Sequence, residues 1–153
     1  HVEALADVVH AVPPFDANLM ALVSHEVNHV IVWNGLGRPG TSFLNEGLAS
    51  ALLSERFHNS GPSFFHHWVG THIGQYPPLS RLIDDDEWRN VEQARAYTVG
   101  ASFLAYLLQM YDADKLRKIY SSDSADFSSR FQSVYGITLD QAQNEWQTFS
   151  QGR

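Results

Sequence analysis

The chain has 153 residues, enough for about one domain, and its 44% hydrophobic content is enough to bury an ordinary core. Ten Lys and Arg against seventeen Asp and Glu give a net charge of −7 with no basic cluster, which argues against nucleic acid or an anionic membrane as partner. Cysteine is absent, so disulfides and thiolate metal sites are excluded, and any metal must be held by His, Asp or Glu.

The text reads as helix after helix. Val2, Leu5, Val9 and Val12 are spaced for a helix over 2–12, although "VVHAV" also fits a short strand, and Pro13 and Pro14 end the element. A chain that opens on His1 is expected to be a processed protein or a piece of a larger one. The opening residues lack the basic region and apolar block of a signal peptide. The compartment is left open, with a secreted or extracytoplasmic setting preferred.

Asp16 is placed to cap a helix over 17–32, and the Gly- and Pro-rich "WNGLGRPGT" separates it from the next. Ser42 is the expected cap of that second helix, "FLNEGLASALLSERF". After the break "NSGPS" comes a short aromatic helix, "FFHHWVGTHIG". The segment 75–91 reads mostly as loop, with one turn at 79–83. A long helix over 92–111 follows, then shorter ones near 113–121, 124–134 and 139–150, the last capped by Thr138. No repeat, domain-splitting linker, alternating strand pattern or transmembrane-length apolar run is present. The expectation is a single, mainly α domain with little or no β-sheet.

"VSHEVNHVIVW" carries His25, Glu26 and His29 in the pattern H-E-x-x-H. Helical residues four apart share a face, so His25 and His29 can aim at one zinc ion. Glu26 points about a third of a turn away, where it can meet a water at the metal without ligating it. A plainer reading is also open. Both histidines lie on the stripe Leu22, His25, His29, Val32, where they could be hydrogen-bonded core residues.

Catalytic zinc sites use three protein ligands plus water. The metzincin continuation is excluded, because Val32 and Gly35 stand where Gly and His are required. Glu46, in "SFLNEGLAS", lies among Leu44, Leu48 and Leu52, where a lone carboxylate is costly unless paired or metal-bound. The small residues Gly47 and Ala49 would let the two helices come close enough for Glu46 to reach the ion. Hydrolysis also needs a donor for the tetrahedral oxyanion, and Tyr97 offers one, with Gly100 and Ala101 on its helix face.

H-E-x-x-H followed by "FLNEGLAS" resembles the gluzincins, most closely the peptidase-MA-like and aminopeptidase-N-type members with their W-L-N-E-G-x-A-S segment. "YTVGA", from Tyr97, is similar to their Y-x-K-G-A helix, whose Tyr donates to the transition state. Across residues 19 to 149 the motifs come in the expected order. Phe43 stands for the usual Trp, Val99 for the usual Lys, and the gap between His29 and Glu46 is shorter than in aminopeptidases. Thermolysin-type relatives often carry, four residues after the Glu, an Asp that orients a ligand histidine. Here that position is Ser50, as in aminopeptidase-N relatives.

The resemblance implies a helical zincin-like core holding one Zn(2+) per chain through His25, His29 and Glu46. It further implies hydrolysis of a peptide or protein substrate, with Glu26 activating a zinc-bound water and Tyr97 stabilising the oxyanion. Only 24 residues precede His25, too few for the family's upstream sheet, so a minimal form or the helical core of a longer protein is expected. The G-x-M-E-N segment that grips a substrate amine in aminopeptidases is missing, so exopeptidase activity is not supported. The alternatives are a non-catalytic zinc-stabilised binding domain and a metal-free helical interaction domain. His66, His67 and His72 read as structural histidines of the aromatic helix, and "DDDEW" as a solvated acidic turn without the spaced ligands of a calcium loop.

Overall fold

A computed structural model describes residues 4–5, 8–9, 17–57 and 59–152. Two strands of two residues each, β1 (Ala4–Leu5) and β2 (Val8–Val9), pair antiparallel with Ala4 opposite Val9, and both lie against the first helix. The helix expected over 2–12 therefore does not form at its described residues; the strand reading of "VVHAV" holds at Val8 and Val9, whose branched side chains favour extended backbone. Asp16, the expected cap, lies outside the described residues. The remaining elements are helical: α1 (Ala17–Leu36), α2 (Ser42–Ala51), α3 (Pro62–Thr71), α4 (Leu79–Leu82), α5 (Asp85–Arg89), α6 (Gln93–Met110), α7 (Ala113–Tyr120), α8 (Ser124–Tyr135) and α9 (Leu139–Ser150). The fold is mainly α, and among the described residues no helix is long and apolar enough to cross a membrane.

The long helix α6 is the hub. From Val99 to Leu107 every residue is buried, as befits a helix covered on all sides. Helices α2, α3 and α9 pack around it, and Phe103 meets Phe43, Phe131 and Trp146 edge-on or tilted. Helices α2 and α6 approach closely. A Cβ on Gly47 would sit 3.0 Å from the backbone carbon of Gly100, and one on Gly100 would sit 3.2 Å from the Gly47 Cα. The small residue at 47 thus serves contact with α6 rather than with α1, contrary to the sequence expectation. That contact has a consequence for chemistry, because Glu46 and Tyr97 flank it.

Three boundaries differ from the sequence reading. Helix α1 runs past Trp33 and Gly35 and stops at Gly37, which takes a left-handed φ of 84° while its N–H reaches the Trp33 carbonyl. Thr41, not Ser42, caps α2 by accepting the Leu44 N–H, and Ser42 N–H donates to Asp85 Oδ1 at 2.7 Å. Helix α2 ends at Ala51 rather than near Phe57, because the Ser54 hydroxyl and carbonyl take up the following backbone and Ser60 in a turn.

The acidic turn is a short helix. Asp84 caps α5, Asp85 holds the start of α2, and Asp86 and Glu87 pair with Arg89 and Arg81. These carboxylates are engaged in caps and ion pairs. Helices α6 to α9 fall within a residue or so of their expected ends, and Thr138 with Gln141 forms a complete capping box.

Candidate metal centre

Helices α1 and α2 lie antiparallel and meet along a polar seam. Successive contacts climb α1 while descending α2. His25 Nδ1 meets Ser50 Oγ at 3.2 Å, and Asn28 Nδ2 donates to the Ala49 carbonyl at 2.8 Å. His25 and His29 face Glu46, and Trp33 Nε1 donates to Asn45 Oδ1 at 3.0 Å. The seam exists because residues 25, 29 and 33 recur every four positions on one helix face. The Asn28 contact ties the two backbones together beside it.

At the centre, three atoms crowd together. His25 Nε2 and Glu46 Oε2 are 3.1 Å apart, His29 Nε2 and Glu46 Oε2 3.3 Å, and the two imidazole Nε2 atoms 3.1 Å. Each neutral imidazole has at most one hydrogen on Nε2, so at most two of these three contacts can be hydrogen bonds at once. A single cation among the three atoms would satisfy them all. Donors about 2.0–2.1 Å from a tetrahedral ion stand about 3.3–3.4 Å from one another, which is close to the spacing found. His25 and His29 are buried and Glu46 is partly so, which makes this a group of three that could hold one metal ion.

The surrounding residues suit that use. An imidazole that ligates through Nε2 carries its hydrogen on Nδ1, and Ser50 Oγ is in place to accept it from His25. Burial opposes ionisation of Glu46, but hydrogen bonding to His25 and His29, the electrostatic pull of His29 and hydrogen bonding to Tyr97 outweigh it. Its carboxyl is held well below the usual range, so it is anionic at neutral pH.

No protein-family model, curated protein or solved structure matches the chain.

Tyr97 lies beside the triad, its ring stacked with that of His25 at 5.8 Å and with that of Trp88 at 5.9 Å. Burial pushes its hydroxyl up to about 12; the Gln93 amide, which donates to it at 3.2 Å, acts the other way, and the Glu46 and Glu26 charges add to the rise. The hydroxyl keeps its proton at neutral pH and can donate it. Glu26 is partly exposed, one residue along from a ligand-facing histidine.

The structure thus brings together His25, His29, Glu46 and Tyr97 of the residues singled out in the sequence, and Glu26 follows His25 on the same helix. Trp33, Asn45 and Gln93 were not among them. For Gln93 the signal was its place four residues before Tyr97; for Trp33 it was the stripe of His25 and His29 continued by one turn.

Three other described histidines, His66, His67 and His72, sit elsewhere. His66 and His67 line a surface cavity of about 550 Å³ with Glu55, Gln109 and Phe149, none of which belongs to the triad. His72 stacks on Trp68 at 4.2 Å with its Nδ1 2.7 Å from that residue's carbonyl oxygen.

Proposed function

We propose that this chain is a zinc-dependent peptidase of the gluzincin type, with His25, His29 and Glu46 as the metal's protein ligands. The observation that carries the reading is the triangle of donor atoms at tetrahedral spacing, with the Tyr97 ring against His25 beside it. Two imidazoles and one carboxylate form a donor set that suits zinc and leaves a fourth position open. When bound there, zinc supplies Lewis acidity, lowering the pKa of water and polarising a carbonyl.

The chain's own residues carry the protons. Glu26, next to His25 on the helix, accepts a proton from the attacking water as oxygen bonds to the scissile carbonyl carbon. It then delivers the proton to the amine nitrogen as the C–N bond breaks. The Tyr97 hydroxyl, kept neutral by burial, donates a hydrogen bond to the carbonyl oxygen as negative charge develops there. Stacking with His25 and Trp88 fixes the ring, so the donor does not have to be oriented at the moment of reaction.

The test is a peptide-library digest of wild type beside Glu26→Gln, each with its zinc content measured by elemental analysis. The expected result is about one zinc in both proteins and cleavage by wild type, reduced in the variant by at least about a hundredfold, the lower end for loss of a general base. Zinc in both with no cleavage by either would leave a zinc-stabilised binding domain as the better description. Equal cleavage by both would remove Glu26 from the mechanism.

A further inference from the structure

Glu46 has two carboxylate oxygens, and only Oε2 faces the histidines. The other, Oε1, accepts the side-chain N–H of Asn45 at 2.9 Å. Asn45 is held in turn by Trp33, whose Nε1–H donates to Asn45 Oδ1 at 3.0 Å. The orientation of this amide is fixed by its neighbours. An indole N–H can only donate and a carboxylate can only accept, so the oxygen must face Trp33 and the nitrogen must face Glu46. Trp33 is anchored on the seam as well, its ring 6.0 Å from that of His29.

We propose that Trp33, acting through Asn45, is a positioning residue of the metal site: the relay occupies Glu46 Oε1 and so presents Oε2 alone to the ion. The inference rests on the metal reading above and adds to it a residue outside the ligand set. Without the indole N–H, the Asn45 amide is free to turn. Its N–H then leaves Oε1, and the carboxylate can rotate or bind through both oxygens. The contact depends on α1 continuing past Gly35, because only a helical Trp33 lies one turn beyond His29 on the same face.

The experiment uses the full chain as wild type, Trp33→Phe, Asn45→Ala and the double variant. Zinc affinity is measured by competition with a chromophoric chelator, and coordination by the visible spectrum of the cobalt(II)-loaded protein. Trp33 is 39% exposed, so Trp33→Phe keeps an aromatic side chain and the fold while removing the indole N–H. It is expected to weaken zinc binding about tenfold, and Asn45→Ala tenfold to a hundredfold, the range for partners of metal ligands. The cobalt bands should change in both variants as the carboxylate changes its mode of binding. Because Trp33 acts through Asn45, the double variant should bind no more weakly than Asn45→Ala alone.

The relay is overturned if Trp33→Phe keeps the wild-type zinc affinity and cobalt spectrum. A double variant whose loss is the product of the two single losses also overturns it. Should Asn45→Ala fail to fold, Trp33→Phe alone decides. A wild-type chain that takes up neither zinc nor cobalt is a different result, which removes the metal site itself.

Discussion

At the α1–α2 seam, His25, His29 and Glu46 turn three polar atoms toward one point, and the hydrogens available there cannot satisfy all three contacts. Across the core, where α3, α6 and α9 meet, His66 is also half-buried and hydrogen-bonded, but its contacts alternate. The Gln109 amide nitrogen lies 3.3 Å from His66 Nε2, His66 Nδ1 lies 2.9 Å from Ser102 Oγ, and Trp146 Nε1 donates to the same Ser102 oxygen at 2.9 Å. Donor meets acceptor at every step, and Phe149 closes the ring edge-on at 5.0 Å. Burial and the presence of histidine are common to both clusters and so say little about function. The difference lies in the count of donors against acceptors: a closed network holds a core together, whereas a surplus of acceptors calls for a cation.

That difference can be broken most decisively at Glu46. Glu46→Gln removes the anion from the triad and is expected to weaken zinc binding by more than about a hundredfold, beyond the range for outer partners. Ser102→Ala, on the other side of the core, should leave zinc affinity unchanged. It should still destabilise the fold by about 1–3 kcal/mol, because Trp146 is fully buried and its indole N–H would lose its acceptor. Chelator competition and urea unfolding on both variants separate the two roles. If Glu46→Gln and Ser102→Ala have the same effect on zinc, the comparison fails.

A subtler perturbation joins the two regions through α6. Gly47→Ala places a methyl 3.0 Å from the Gly100 backbone and 3.0 Å from Leu104 Cδ1, so the helices must separate. Overpacking of this kind costs about 1–3 kcal/mol, offset by up to about 1 kcal/mol from the better helix propensity of Ala. A net loss of about 1–2 kcal/mol in urea unfolding is expected. Because Glu46 and Tyr97 flank the contact, catalysis should fall even where zinc affinity is kept.

The positions of Glu46 and Tyr97 were legible in the sequence because each motif is local: a four-residue histidine spacing, a carboxylate among leucines, a tyrosine three residues before a glycine. What was not legible depended on where elements end and how they pair. The Gly- and Pro-rich "WNGLGRPGT" reads as a loop from Trp33 onward, yet the helix continues to Leu36, where Gly37 with its positive φ ends it, and Trp33 thereby joins the seam. Likewise, Gly47 reads as room for α1 from spacing alone. Only the packed arrangement shows that its close neighbour is Gly100 on α6. The acidic segment from Asp84 reads as solvated charge because the N–H groups that two of its carboxylates accept belong to helix starts, one of them far away in sequence. Such partners follow from tertiary packing, which a local pattern does not contain.

The smallest expected effect tests the closed network by pH. Burial, with the Glu55 carboxylate pulling the other way, holds the His66 imidazole below its ordinary value of 6.5. The geometry gives the same direction. A second proton would sit on Nε2 and face the Gln109 amide nitrogen, donor against donor, until that exposed amide turns over. The unfolded chain therefore takes up this proton at a higher pH than the folded one. The contribution of His66 to stability is complete above about pH 6.5 and is lost as pH falls through the lowered folded value. Other groups contribute to stability over the same range, so the informative quantity is a difference. Urea unfolding of wild type and His66→Gln, followed from pH 8 to pH 5, should show wild type losing its advantage over the variant as the solution is acidified. A constant difference across that range would mean that His66 is not held neutral by its surroundings, and the closed network would lose its distinction from the seam.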